Sequence, residues 1–447
     1  MKRISAVLAA CLLAACGSDS SLPEASGKAN FRAINSIPTS GEIAFLIEER
    51  ANGAAGYQDV TATTEWDDLS YNFNFDVFFA GETGLTRIAT QLVDAVADRD
   101  YTFLISGSIA NPTLTLYEDE VREFDTDGTI FAAKFLHSST RPGALDFYFA
   151  DPEVAPVLGE QVATLSPGEL STSADFDAGE YVVTLTTAGD PNDIVYRSET
   201  VPFVPGNSFF ITLFDGDAND TAPLIVQALP SRGTSVAMPD PSYLPAVEFI
   251  NISMDLGASD IYDDEALTSL IVQDHGFRDV EDERETASGA NTFYYTPTGD
   301  TSAVTLEGEL TATSGTRYRF YAAGVAGAFD TDIVVPDRKS LETMVKLTMY
   351  HGANNFDFLN LYAVDAGESV DDNFPVLAAI SRGSQSPNVA LTAGVYDIYV
   401  TEFNDKTVLA GPYRFDTSLG DIVDLVVVDT VDPAVLDALF LSGTLVR

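Results

Sequence analysis

The chain has 447 residues, with 68 Asp and Glu against 23 Lys and Arg and a formal net charge of −45 at pH 7. That balance excludes a nucleic-acid binder, because neutralising phosphates needs a basic face. Hydrophobic residues are 45% of the chain, enough to bury real cores, and the length calls for more than one domain at about 100–200 residues each.

The N-terminus reads as an address. Lys2 and Arg3 precede an apolar run from Ile4 to Ala15, too short to span a bilayer and of signal-peptide length. Leu13-Ala14-Ala15-Cys16 has the pattern of a lipobox, with small residues before a cysteine that becomes the acylated first residue. Residues 1–15 are therefore expected to be a lipoprotein signal peptide and Cys16 the lipidation site. Cys11 and Cys16 are the two cysteines, so a cleaved chain has no disulfide and must fold by core burial alone. Gly17, in place of Asp, favours the outer membrane, and residues 16–29 form a polar Ser- and Gly-containing tether.

Beyond the tether the sequence repeats. Four apolar runs end in Asn35, His137, Asn251 and His351, and nine residues later come Ala44, Asp146, Asp260 and Asn360, each opening a second apolar run. Further on, each copy has a turn and an aromatic strand (Tyr71, Tyr181, Phe293, Tyr396), then another strand beginning near Tyr101, Phe209, Tyr318 and Ile422. Each copy holds about seven short runs rich in Val, Ile, Thr, Tyr and Phe between turn-forming residues. Period-two alternation, as in Tyr181-Val-Val-Thr-Leu-Thr-Thr187, predicts half-buried antiparallel strands. The expected fold is all-β, with tandem immunoglobulin-like antiparallel β-sandwich domains at residues 30–122, 129–230, 245–336 and 343–447. The Pro-rich linker at 231–245 is expected to be a semi-rigid spacer. Asp432–Phe440, with Asp before Pro433, is the best helical candidate.

The second copy, with His137, Asp146, the Ala178-Gly179-Glu180-Tyr181 turn and Pro205-Gly206 before Phe209, resembles the bacterial domain of unknown function 4397. Copies one and three are more divergent. The resemblance implies an exported or lipid-anchored protein with tandem domains, and it brings no catalytic residues.

The chemistry is sparse. His137 and His351 share a position that Asn35 and Asn251 fill in the other copies, which suits a side chain bonding a strand end; His275 lies in a charged stretch. No zinc-ligand spacing, nucleophile motif, Walker loop or dinucleotide fingerprint is present, so the chain reads as a non-enzyme without a cofactor. Asp215-Gly-Asp217-Ala-Asn219-Asp220 opens like an EF-hand, but Asp220 replaces the glycine at position six and Val226 the glutamate at position twelve. A solvated hairpin or interdomain turn is the preferred reading of this segment, with calcium binding as the alternative. Trp66 is read as covering the first core, and the acids as a solvated coat. The sequence thus leads to a lipid-anchored envelope protein of structural or binding role, held to the membrane through Cys16, with an unknown protein or glycan partner. The alternative is a calcium-dependent adhesin or carbohydrate-binding surface protein.

Overall fold

The computed structural model describes residues 24–125 and 127–443; the signal peptide and Cys16 lie outside the described residues. In the first repeat, eight strands follow in order: β1 (Lys28–Asn35), β2 (Ile43–Ile47), β3 (Arg50–Ala55), β4 (Thr64–Asp67), β5 (Ser70–Phe78), β6 (Leu85–Asp94), β7 (Arg99–Gly107) and β8 (Pro112–Glu120). They form two sheets, β4-β1-β7-β8 and β3-β2-β5-β6. Neighbouring strands are antiparallel except β1 and β7, which run parallel. The same order recurs at 130–237, 246–334 and 345–442, so the described chain is four pairs of sheets, each pair enclosing its own core.

Alternation explains the sandwich. Along β1, Ala29, Phe31 and Ala33 point into the first core with Phe45, Phe73, Phe75 and Phe103. Trp66 packs on the margin of that core, edge-on to Tyr71 at 5.2 Å.

Three expectations need correction. The first and second strands of every repeat lie in opposite sheets, whereas an immunoglobulin constant-type sandwich of seven strands keeps its first two strands together. Asp432–Phe440 is not a helix: Leu436–Ser442 pairs antiparallel with Ile422–Asp429, because Leu436 and Ala438 alternate into the core and this period outweighs the capping signal. The Pro-rich linker is not a free spacer, since Val236–Ala237 adds a short strand to the second repeat and Met238 is sealed in its core. The tether also gives way to strand slightly early, at Lys28.

The outer faces of the β1/β7-type sheets carry apolar patches as well, and they meet in pairs. Ile34 and Leu104 of the first repeat pack on Leu136, Phe210, Phe214 and Leu229 of the second. Ile250, Ile252 and Tyr321 of the third pack on Tyr350, Val426 and Val428 of the fourth, with Tyr321 and Tyr350 stacked at 4.1 Å. Narrower joints link the pairs. Thr221 donates to the Gly315 carbonyl (2.7 Å) between repeats two and three, and Ala80 donates to the Thr343 carbonyl (3.0 Å) between the first repeat and the segment entering the fourth. The four sandwiches therefore close on themselves.

The joint between repeats three and four is completed by charge. Arg319 is buried between Glu248, at 2.8 Å, and Asp424, and Arg338 of the linker reaches Glu248 at 3.1 Å. Removing one partner of such a set strands the other charges in a low-dielectric site. Arg319→Ala is expected to lower the unfolding free energy of this pair by about 3–5 kcal/mol in a denaturant titration.

Candidate functional site

The repeated polar positions are spent on the fold. Asn35, His137, Asn251 and His351 each end a first strand and are each fully buried. Asn35 donates through Nδ2 to the Gly41 carbonyl (3.4 Å), Asn251 donates likewise to Gly257 (3.2 Å), and His137 Nε2 bonds the Gly143 carbonyl (3.0 Å). The partner is six residues on in each case, so this side chain pins the loop between the first two strands. The main chain of each residue is held too: its carbonyl accepts an N–H from Gln58, Gly168, Arg278 or Gly383, and all four donors lie in the left-handed region at φ 68°, 83°, 72° and 71°.

The second repeated position is a clamp. The Asp146 carboxylate accepts from Thr164 Oγ1 (2.5 Å) and the Gly189 amide (2.7 Å), and that of Asp260 accepts from the Asp274 and Gly299 amides (both 2.9 Å). Asn360 accepts from the Ala379 amide (3.0 Å) and donates to the Phe403 carbonyl (2.9 Å). Ala44 has no such group. His275 is buried at a strand end, 3.4 Å from Glu281, and burial depresses its basicity.

The acidic segment 215–220 is an interdomain junction, not a solvated hairpin. The Asp215 carboxylate accepts from Thr140 Oγ1 (2.8 Å) and Ser139, while its carbonyl accepts from Tyr57 (2.5 Å) and Gln58 (3.1 Å) of the first repeat. Asp217 accepts from the Asn219 amide (2.7 Å), Asp220 from the Asp217 amide (2.9 Å), and Asn219 from the Arg338 amide (2.6 Å). The Asp220 carbonyl takes Arg317 Nε of the third repeat (3.2 Å). The four residues proposed for calcium are thus turned toward different partners. Among the described residues no three His, Cys, Asp or Glu side chains gather as a metal-ligand set.

A cleft of about 1840 Å³ opens between repeats one and two. Near Ile34 and Leu136 the two outer faces are packed; toward Asn30 and Ser208 they leave space. At the throat between these regions sit Arg32 and Thr102 from paired positions of β1 and β7, and Lys134 and Phe210 from the equivalent paired positions of repeat two. Arg32 is only 6% exposed, and it donates through Nε to Thr102 Oγ1 (3.1 Å) and through Nη1 to the Pro230 carbonyl (3.0 Å). Its guanidinium lies 4.5 Å above the Phe210 ring. Burial lowers its pKa to about 10, an effect the nearby Asp100 and Asp119 carboxylates oppose, which leaves it charged at neutral pH; among the described residues no carboxylate lies within ion-pair distance of it. Lys134 is paired with Asp119. Sequence reading passed over these residues. The available signal was the position three before each Asn or His, occupied by Arg32, Lys134, Glu248 and Thr348.

No protein-family model matches the chain, and no curated protein matches it.

Two ionisations test this architecture with opposite signs. Burial lowers His351 from 6.5 to about 4, so its contribution is present above pH 6.5 and is lost as pH falls toward 4. His351→Asn, the residue used in repeats one and three, is expected to remove that acid-side loss from the thermal midpoint. Burial raises Asp220 from 3.8 to about 6, so its contribution is complete below pH 3.8 and is lost as pH rises through 6. Asp220→Asn is expected to raise the midpoint at pH 7 and to leave it unchanged at pH 3.5, read by calorimetry at both.

Proposed function

We propose that this is a lipid-anchored cell-envelope protein with a non-catalytic binding role, its four sandwiches serving as a rigid frame for the cleft between repeats one and two. The observation that carries the binding reading is a division of labour among polar groups. His137 and the repeated Asn and Asp residues hold loops and strand ends, whereas Arg32 is buried with charge and donors to spare at the wall of a roomy cleft. The anchor rests on the lipobox ending at Cys16, and the outer membrane on Gly17. The likeness of the second repeat to the domain of unknown function 4397 supports an exported, tandem-domain protein. One lipid chain gives marginal binding and several give stable attachment, at about 0.8 kcal/mol per buried CH₂, so acylation at Cys16 would hold so acidic a protein at an anionic surface.

Cys16→Ser is expected to abolish labelling by radioactive palmitate and to move the protein from the membrane to the soluble fraction; retention in the membrane would sink the anchor. For the binding role, Ser208→Trp, which fills the mouth of the cleft, is expected to abolish crosslinking to the partner captured by the unsubstituted protein while leaving its thermal midpoint within a few degrees.

A further inference from the structure

The two sheet-on-sheet joints have the same frame and different throats. In repeats three and four, the paired positions hold Glu248 with Arg319 and Thr348 with Asp424. There Arg319 is enclosed by Glu248 and Asp424, and Thr348 donates to Asp424 at 2.9 Å. In repeats one and two, the matching positions hold two cations, Arg32 and Lys134, with Asp119 as the one acid paired to them. An arginine buried to this degree with no carboxylate in contact, Asp100 and Asp119 acting on it only at longer range, is costly to keep unless something completes it. The Nη2 group of Arg32 makes no hydrogen bond among the described residues, and Arg32 lines the cleft. In the third and fourth repeats the groups that complete the buried arginine are carboxylates, those of Asp424 and Glu248 around Arg319.

The surroundings narrow the source of that carboxylate. Around the cleft stand Asp59, Glu65, Asp100, Glu120, Glu123 and Asp125 against Arg122 and Arg232, mostly exposed, so acids outnumber bases on the rim. Such a rim repels a polyanion, and the net charge of −45 acts in the same sense at longer range. A ligand that meets this field must be cationic over most of its length and carry one accessible carboxylate. The volume, about 1840 Å³, exceeds the roughly 300–1,000 Å³ of small-molecule sites and suits a short chain.

Resting on the binding reading of the cleft, we propose that the cleft between repeats one and two receives the C-terminal end of a basic polypeptide, its terminal carboxylate on Arg32 and Lys134 and its basic side chains along the acidic rim. A guanidinium edge with free N–H donors matches a carboxylate in a way that a lysine-only site does not.

The test uses the intact protein in detergent and a dye-labelled lysine-rich octapeptide, followed by fluorescence anisotropy. The free-acid peptide is expected to bind at least tenfold more tightly than its C-terminally amidated twin. Arg32→Gln is expected to bring the free acid to the level of the amide. Lys134→Gln, a less enclosed position, is expected to weaken the free acid severalfold if Arg32→Gln does not fold. Equal binding of acid and amide, binding unchanged by the throat variants, or no binding of either peptide at millimolar concentration would overturn the proposal. Displacement of the peptide by polyglucuronate at equal carboxylate concentration would overturn it in favour of an acidic glycan. Loss of partner crosslinking in Ser208→Trp together with indifference to Arg32 would reject the ligand class and keep the cleft as the binding site; retention of crosslinking in Ser208→Trp would reject the cleft itself.

Discussion

Everything in this molecule follows from strands that are covered on both faces. In each repeat the first strand and the counterpart of β7 lie side by side and parallel at the middle of one sheet, and their inner side chains fill the sandwich core. Their outer side chains are covered too: every residue of Val345–His351 is buried, with Lys346 and Thr348 as well as Tyr350 on the outer side. A sheet with two dry faces needs two covers. The opposite sheet of the same repeat supplies one, and a second repeat supplies the other. Pairing of repeats is therefore built into the strands, and a lone repeat would present Tyr350, Val426 and Val428, or Ile34 and Leu104, to water.

Once the pairs exist, their polar groups have to be satisfied in dry places. Asn35, His137 and Asn251 at the ends of three first strands pin their loops, and Asp146 and Asp260 gather backbone amides from separate turns. Asp397 lies 3% exposed under Arg414, whose Nε and Nη2 donate to it at 2.8 and 2.7 Å. Asp429 collects Asn354 and Asn355 at 2.8 to 3.0 Å. A carboxylate with two lone-pair-bearing oxygens can tie several donors at once, which a neutral side chain of the same size cannot. The acidity of the chain thus has two parts: an exposed coat that keeps sheet edges apart, and an inner set that ties loops to strands. The segment 215–220 belongs to the inner set, since its groups join the first, second and third repeats and the linker to the fourth.

Much of this was legible in the sequence, and what was not has a physical reason. The recurrence of Asn35, His137, Asn251 and His351 and the offset of nine marked the first two strands of every copy, because a strand end and its loop are local features. The turns before Tyr181 and Tyr396 marked the fifth strand in the same way. The parallel pairing of the first and seventh strands was not readable, since it joins residues about seventy positions apart, such as Arg32 and Thr102. The second dry face was present in runs such as Val426-Val427-Val428, but the alternating strands nearby set the expectation of one wet face. The helical candidate at Asp432–Phe440 failed for the same reason in reverse: a capping signal is local, and the alternation of Leu436 and Ala438 gains its weight only when Ile422–Asp429 is alongside. Arg32, the residue on which the cleft turns, sat at a fixed place in the repeat. Nothing within one copy says that the outward position three before the Asn or His faces another copy.

That position is where the molecule departs from its own symmetry. A joint between two outer sheet faces can be sealed by charge, as repeats three and four demonstrate with Arg319 between two acids and Arg338 beside them. The frame of repeats one and two offers the same sites, and a glutamate or aspartate at Thr102 or Phe210 would answer Arg32 as Asp424 answers Arg319. Instead Phe210 supports the guanidinium from one face, Thr102 and the Pro230 carbonyl take two of its donors, and the remaining edge is left to the cleft. Stability alone favours the sealed version, because an enclosed charge costs least when its counter-charge is covalently present. The fold builds the sealed joint in one half and the open one in the other, and the open edge is the one proposed to meet a ligand's carboxylate.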